Sequence, residues 1–159
     1  PQIVCADVTD ASGQVHTGIS TLPISMLRGS EELLSELRLR LFEPEKMKNR
    51  LNEVSAANWL NCIRQSLKKS GLKGEDLGYL AILHIKRSAH LGMLSDLGLK
   101  EDQSIYLEDY GHIGQIDQIL SLHLALGEGK VKDGTVVCML AAGIGYVWAA
   151  NIIKWGPAL

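Results

Sequence analysis

Apolar positions recur with a period of two in some stretches of the chain and of three to four in others, and the alternation of the two periods draws the elements. Ile3, Val4, Cys5, Ala6 and Val8 predict a strand over residues 3–8, and the Asp, Ser and Gly within residues 9–13 predict a turn after it. Residues 15–42 mix the strand-like Ile19, Leu22 and Ile24 with a leucine-rich amphipathic piece at 31–41, which reads as a loop with a short helix. The clearest helix covers residues 45–70. Pro44 suits its first turn, Met47, Leu51, Val54, Leu60, Ile63 and Leu67 mostly recur at three and four residues, and Gly71 stops it.

Beyond that helix, residues 80–83 predict a buried strand, 88–97 a helix ended by Gly98, 104–107 another strand, and 116–127 a third helix. Lys132-Asp133-Gly134 turns into residues 135–142, whose near-continuous apolar run suits a strand covered on both faces. Gly143-Ile144-Gly145 then leads to a last strand over 146–155. Strands alternating with helices, and a final antiparallel pair, predict an α/β fold of three layers around a mixed sheet.

Composition narrows the function classes. The chain has 159 residues, one domain's length, and its 46% hydrophobic and 21% charged residues provide a core and exclude a disordered segment. A net charge of −2 without a basic block leaves no electrostatic footprint for nucleic acid or an anionic membrane. The longest apolar run, over 136–150, is broken by Gly143 and Gly145 and falls short of the roughly 20 residues of a spanning helix, so a soluble protein is expected. Cys5, Cys62 and Cys138 are odd in number, widely spaced and set among apolar residues, which suits thiols in the reducing cytoplasm better than a disulfide framework. The chain opens on Pro1 without the basic and apolar regions of an export signal, so either such a signal has been removed or the chain is a piece of something longer.

Candidate chemistry gathers where strands end. His84 follows the buried strand and precedes a helix, the position where α/β proteins place reactive groups; from position alone, a general base and a ring donating to a strand-end carbonyl weigh equally. His112 lies in a second strand-to-helix loop, Asp109-Tyr110-Gly111-His112-Ile113-Gly114-Gln115, whose glycines let the backbone approach a ligand, against a slightly favoured reading as a turn or cap residue. Gly143-Ile144-Gly145 joins two strands, lacks a third glycine and opens no helix, which rejects a dinucleotide loop and leaves a tight turn or a close backbone approach to substrate. His84, His90, His112 and His123 have no spacing that fixes zinc or iron, so no metal is expected.

Taken in order, LAILHIKRSAH (80–90), LGL (97–99), EDYGHIG (108–114) and LALGEGKVKDGTVVCMLAAGIGYVWAANIIKW (124–155) resemble the C-terminal half of the β-ketoacyl carrier-protein synthase III family, within the thiolase-like superfamily. The resemblance runs from about Asn58 to Trp155 and is best from Glu108 onward; residues 3–13 fit more loosely and 15–44 poorly. It implies that residues 1–159 are one three-layer α/β/α half of a five-layer fold, pairing with a second, similar half. It also implies acyl transfer from coenzyme A or an acyl carrier protein through a cysteine thioester, with no further cofactor. In that family a Cys of the N-terminal half is the nucleophile, while a His and an Asn of the C-terminal half polarise the thioester carbonyl and assist decarboxylative condensation.

His84 falls on the family His, with Ile85-Lys86-Arg87 in place of the family's Gln-Ala-Asn. Gly111-His112-Ile113 stands at the family's Gly-Asn-Thr, so His112 occupies the Asn position. An imidazole there donates to an enolate oxygen, or serves as a base for an oxygen or nitrogen nucleophile or for water. Gly143 and Gly145 fall on the glycine-rich loop beside the family's active site, and with Gly111 they are the expected substrate-binding residues.

None of the three cysteines is placed at a helix N-terminus that lowers a thiol pKa, so the nucleophile is expected from the missing N-terminal half, in the same or a separate chain. Half a core leaves an apolar face that a soluble monomer rarely tolerates, so the chain is expected in a dimeric assembly. Two functions follow. The first is an enzyme half, in which His84 orients or deprotonates and His112 assists at the carbonyl oxygen during acyl transfer or Claisen-type condensation. The second is a non-catalytic binding or scaffold half that pairs with an active ketosynthase-like subunit.

Overall fold

The computed structural model describes residues 4–10, 15–20, 34–41, 43–114, 116–143 and 147–157, with side chains from residue 43 onward. The chain divides into two compact units, residues 1–51 with 144–146 and residues 52–143 with 147–159.

In the first unit, β1 (Val4–Asp10), β2 (Val15–Ser20) and β3 (Leu34–Leu41) form an antiparallel sheet in the order β2-β1-β3. The opening strand extends to Asp10 because it pairs on both sides, Thr9 standing opposite Val15 and Glu36. Thr9 and Asp10 are therefore strand residues, and the rest of the turn expected at 9–13 lies outside the described residues. The short helix expected within 31–41 is replaced by β3. Leu34, Leu37 and Leu41 space a helical face, yet Leu37, Leu39 and Leu41 also alternate with Glu36, Arg38 and Arg40. Pairing with β1, distant in sequence, selects the period-two reading.

In the second unit, β4 (Leu77–Ile82), β5 (Val136–Gly143) and β6 (Val147–Lys154) form a mixed sheet in the order β4-β5-β6. β4 and β5 are parallel, and β5 and β6 antiparallel, as the pattern of the last two strands predicts. The crossover from β4 to β5 carries α2 (Arg87–Leu97) and α3 (Asp117–Gly127), and α1 (Pro44–Lys69) precedes β4. All three helices fall within two residues of their expected ends, and Gly98 closes α2 with a left-handed φ of 70°. The strand expected at 104–107 is reduced to a single bridge, Ser104 beside Leu80. Ser104 Oγ takes the Leu80 carbonyl at 2.7 Å, and the Glu108 N–H turns back to the Tyr106 carbonyl at 2.8 Å, which bends the chain out of the sheet.

The sheet separates two apolar layers. Leu80 and Ile82 of β4 with Val136, Cys138 and Leu140 of β5 pack with Trp59, Ile63 and Leu67 of α1 and Met93 and Leu94 of α2. Tyr79, Ala81 and Val137 belong to a second cluster with Leu122 and Ala125 of α3. A bulge between Leu77 and Tyr79 sets this alternation in β4. Three hydrogen bonds from one face of α1 tie it to the sheet: Trp59 Nε1 to the Ala141 carbonyl at 3.1 Å, Cys62 Sγ to that of Trp148 at 3.4 Å, and Ser66 Oγ to that of Ala150 at 2.8 Å. The last two cover carbonyls of β6, an edge strand that would otherwise invite foreign pairing. Among the described residues, no helix is long and apolar enough to cross a membrane.

Candidate active site

The site is assembled around one carboxylate, Asp117, the first residue of α3, whose side chain is fully buried. Asp117 Oδ2 accepts the backbone N–H of His84 at 2.7 Å and contacts Nδ1 of His112 at 2.6 Å, while Oδ1 accepts the Ile113 N–H at 2.9 Å. Burial alone raises the pKa of a carboxyl, but the N–H groups of His84 and Ile113 and the His112 ring outweigh it and hold Asp117 below its ordinary value. The first turn of α3 favours the same negative charge.

His84 stands just past β4, where the Leu83 N–H continues the ladder to the Leu140 carbonyl at 3.1 Å. Gln118 Nε2 reaches the same carbonyl at 2.9 Å, which pins the start of α3 to the end of β5. The His84 ring lies 4.8 Å from that of Tyr106, tilted by 36°. Its Nδ1 is buried and has no hydrogen-bond partner among the described residues, and the backbone N–H of His84 is held by Asp117.

Tyr106 also meets His90 edge-on at 5.4 Å and lies under the Arg87 guanidinium at 5.2 Å, while Arg87 pairs with Glu108 at 3.0 Å. His90 is almost wholly buried, and burial first, then the neighbouring His84 and Arg87, pushes its pKa down to about 4.

His112 is the open member of the pair, with 56% of its side-chain surface exposed. Gly111 before it adopts φ 66°, a left-handed conformation that suits glycine, and its N–H closes a turn on the Leu107 carbonyl at 2.8 Å. Among the described residues, a Cβ at Gly111 would meet nothing within 4 Å, so there the glycine serves the turn rather than close packing. Gly143 is the last residue of β5, opposite Val147, and is without a positive φ. A Cβ there would sit 3.9 Å from Val147, and no contact described links Gly143 to either histidine. Gly145 lies outside the described residues.

The structure thus brings His84 and His112 to one carboxylate. Asp117 is not among the candidates the sequence marks, since an acid in the first turn of a helix is ordinary; in the structure it lies with Ser121 and Ala125 on the buried face of α3, where an acid needs donors. Cys138 is buried in β5 with its thiol pushed up to about 12, which removes it as a nucleophile. Cys62 is part-buried and bonded to the Trp148 carbonyl. Among the described residues no group of His, Cys, Asp or Glu could hold a metal ion.

The family described as 3-oxoacyl-[acyl-carrier-protein] synthase III C terminal matches residues 67–155. A second family, described as a protein of unknown function (DUF2000), matches residues 1–85. The β-ketoacyl-[acyl-carrier-protein] synthase III of Aquifex aeolicus is 31% identical over 113 residues, covering 69% of this chain and 36% of the relative. That of Synechocystis sp. is 32% identical over 95 residues, covering 58% and 28%. The chain therefore matches about a third of the length of these relatives. The crystal structure of the Thermus thermophilus enzyme of the same name superposes with a TM-score of 0.68 at 21% identity, covering 99% of this chain and 46% of that one. The second unit has the α/β arrangement of layers around a mixed sheet that is expected of a thiolase-like half. Through residues 67–155 the chain belongs to the 3-oxoacyl-[acyl-carrier-protein] synthase III C-terminal family, and through residues 1–85 to a family whose description assigns no function.

Proposed function

We propose that residues 1–159 form the C-terminal half of an acyl-transfer assembly, in which His84 and His112 act on an acyl group held as a thioester on a cysteine of an N-terminal, ketosynthase-like half. The observation that carries this reading is the shared hold of Asp117 on the His84 backbone N–H, just past β4, and on the His112 ring, in the loop before α3. The acyl donor is an acyl-coenzyme A or an acyl carrier protein, as the names of the relatives suggest for the latter. The exposed Tyr110, Ile113, Ile116 and Ile119 flank His112 and belong to the face that the N-terminal half covers. In this assembly His84 orients and polarises the thioester carbonyl, and His112, instead of assisting at the carbonyl oxygen as the sequence reading expects, serves the acceptor.

Intact-mass spectrometry of the denatured assembly, with and without a short acyl-coenzyme A, tests the reading. The expected result is one acyl mass gained by the cysteine-bearing half. His84→Ala is expected to slow turnover by about two to three orders of magnitude, the effect of losing a hydrogen-bond donor to a developing oxyanion. A change below tenfold, with no acyl adduct, supports the non-catalytic half instead.

A further inference from the structure

Resting on the acyl-transfer reading above, we infer that the acceptor at this site is an alcohol, that His112 is the base taking its hydroxyl proton, and that Asp117 is the positioning residue that makes His112 a base. The argument starts from the carboxylate. Asp117 is ionised and accepts only, and its oxygens are held by the His84 N–H at 2.7 Å and the Ile113 N–H at 2.9 Å, so it cannot turn away from the ring. The His112 nitrogen facing it at 2.6 Å is therefore an N–H. In the neutral imidazole this leaves the lone pair on Nε2, at the end of the ring away from Asp117.

An Nε2 lone pair favours an acceptor whose O–H proton must leave over a carbon nucleophile. Condensation on a carbon nucleophile asks this position to donate a hydrogen bond to an enolate oxygen, which an unprotonated Nε2 does not do. An alcohol asks for the opposite, since it attacks a thioester only as its proton leaves. A neutral amine attacks with its own lone pair and has less need of a base.

The alcohol oxygen bonds to the thioester carbonyl carbon while its proton passes to His112 Nε2. The tetrahedral intermediate then collapses with cleavage of the carbon–sulfur bond, the electron pair leaves on the cysteine sulfur, and His112 returns the proton to it. The products are an ester and the free thiol. The buried charge of Asp117 balances the imidazolium in between.

Two measurements test this. Long-range proton–nitrogen spectra of the imidazoles, with His112 assigned by loss of its signals in His112→Gln, should show the Nδ1–H tautomer in the wild-type chain and a shift toward Nε2–H in Asp117→Asn. An Nε2–H tautomer in the wild type overturns the proposal without any variant. In the assembly, the butanoyl-enzyme is loaded, isolated and challenged with propan-1-ol, propylamine, malonyl-coenzyme A or buffer. Propyl butanoate formed at least about tenfold faster than butanoate in buffer, and lost by about 10²–10⁴-fold in His112→Asn, is expected. A 3-oxoacyl product from malonyl-coenzyme A, an amide without ester, or free butanoate alone overturns the alcohol acceptor while leaving acyl transfer in place. Failure of any cysteine to load overturns both.

Discussion

His90→Phe tests the electrostatics beneath the site. His90 is 3% exposed, packed edge-on against Tyr106, and its pKa is pushed down to about 4 from 6.5. In the folded chain it stays neutral down to about pH 4, whereas in the unfolded chain it takes up a proton below about pH 6.5. Between those values the unfolded state binds more protons, so stability is full above pH 6.5 and falls as the pH drops towards 4. The slope approaches 1.36 kcal/mol per pH unit, and over this window the loss is about 3 kcal/mol. Phenylalanine keeps a ring against Tyr106 and removes the titration. Urea unfolding followed by tryptophan fluorescence at pH steps from 7 to 4 should show the wild type losing about 3 kcal/mol more than His90→Phe, since every other titrating group is common to both. Parallel curves, differing in slope by less than about 0.5 kcal/mol over the window, would refute the buried neutral imidazole.

Further outcomes follow from single positions. Gly111→Ala forces a Cβ into φ 66° and should lower unfolding free energy by about 1–2 kcal/mol, whereas Gly143→Ala, without a positive φ and with its nearest described neighbour at 3.9 Å, should stay within about 0.5 kcal/mol; equal costs by chemical denaturation would contradict the turn geometry. Cys138, its thiol pushed up to about 12 by burial, should be alkylated by iodoacetamide at pH 8 about 10³-fold more slowly in the folded chain than in urea, read by peptide mass; comparable rates would mean the β5 core opens freely.

How far the sequence could be read depended on whether an element announces itself locally. The helix over 45–70 carries its own period, its Pro and its Gly, and appears as α1 within one residue at either end. The run at 135–142 is apolar on both faces because β5 lies between two apolar layers, and its burial shows it. At 31–41 two periods fit the same leucines, and a partner some 30 residues earlier in the chain decides between them; no window of local sequence contains that partner. At 104–107 the residues suit a strand, but a serine side chain takes the carbonyl that a ladder would use.

The candidate site divides in the same way. His84 is legible because it follows a buried strand and His112 because it lies in a glycine-bearing loop that opens a helix, while their relation is not, since it runs through a third residue. Asp117 is five residues from His112 and 33 from His84, so no short motif holds all three. In the first turn of a helix an acid is ordinary, so it is the burial of Asp117 in the structure that announces donors converging there. Here one of those donors is the ring of His112, which the sequence resemblance sets at the family's Asn position. A histidine alone at that position is ambiguous, a donor in one tautomer and an acceptor in the other. With a buried, ionised carboxylate fixed behind its Nδ1 it presents a lone pair, so the departure from Asn exchanges hydrogen-bond donation for proton abstraction at one point of the site.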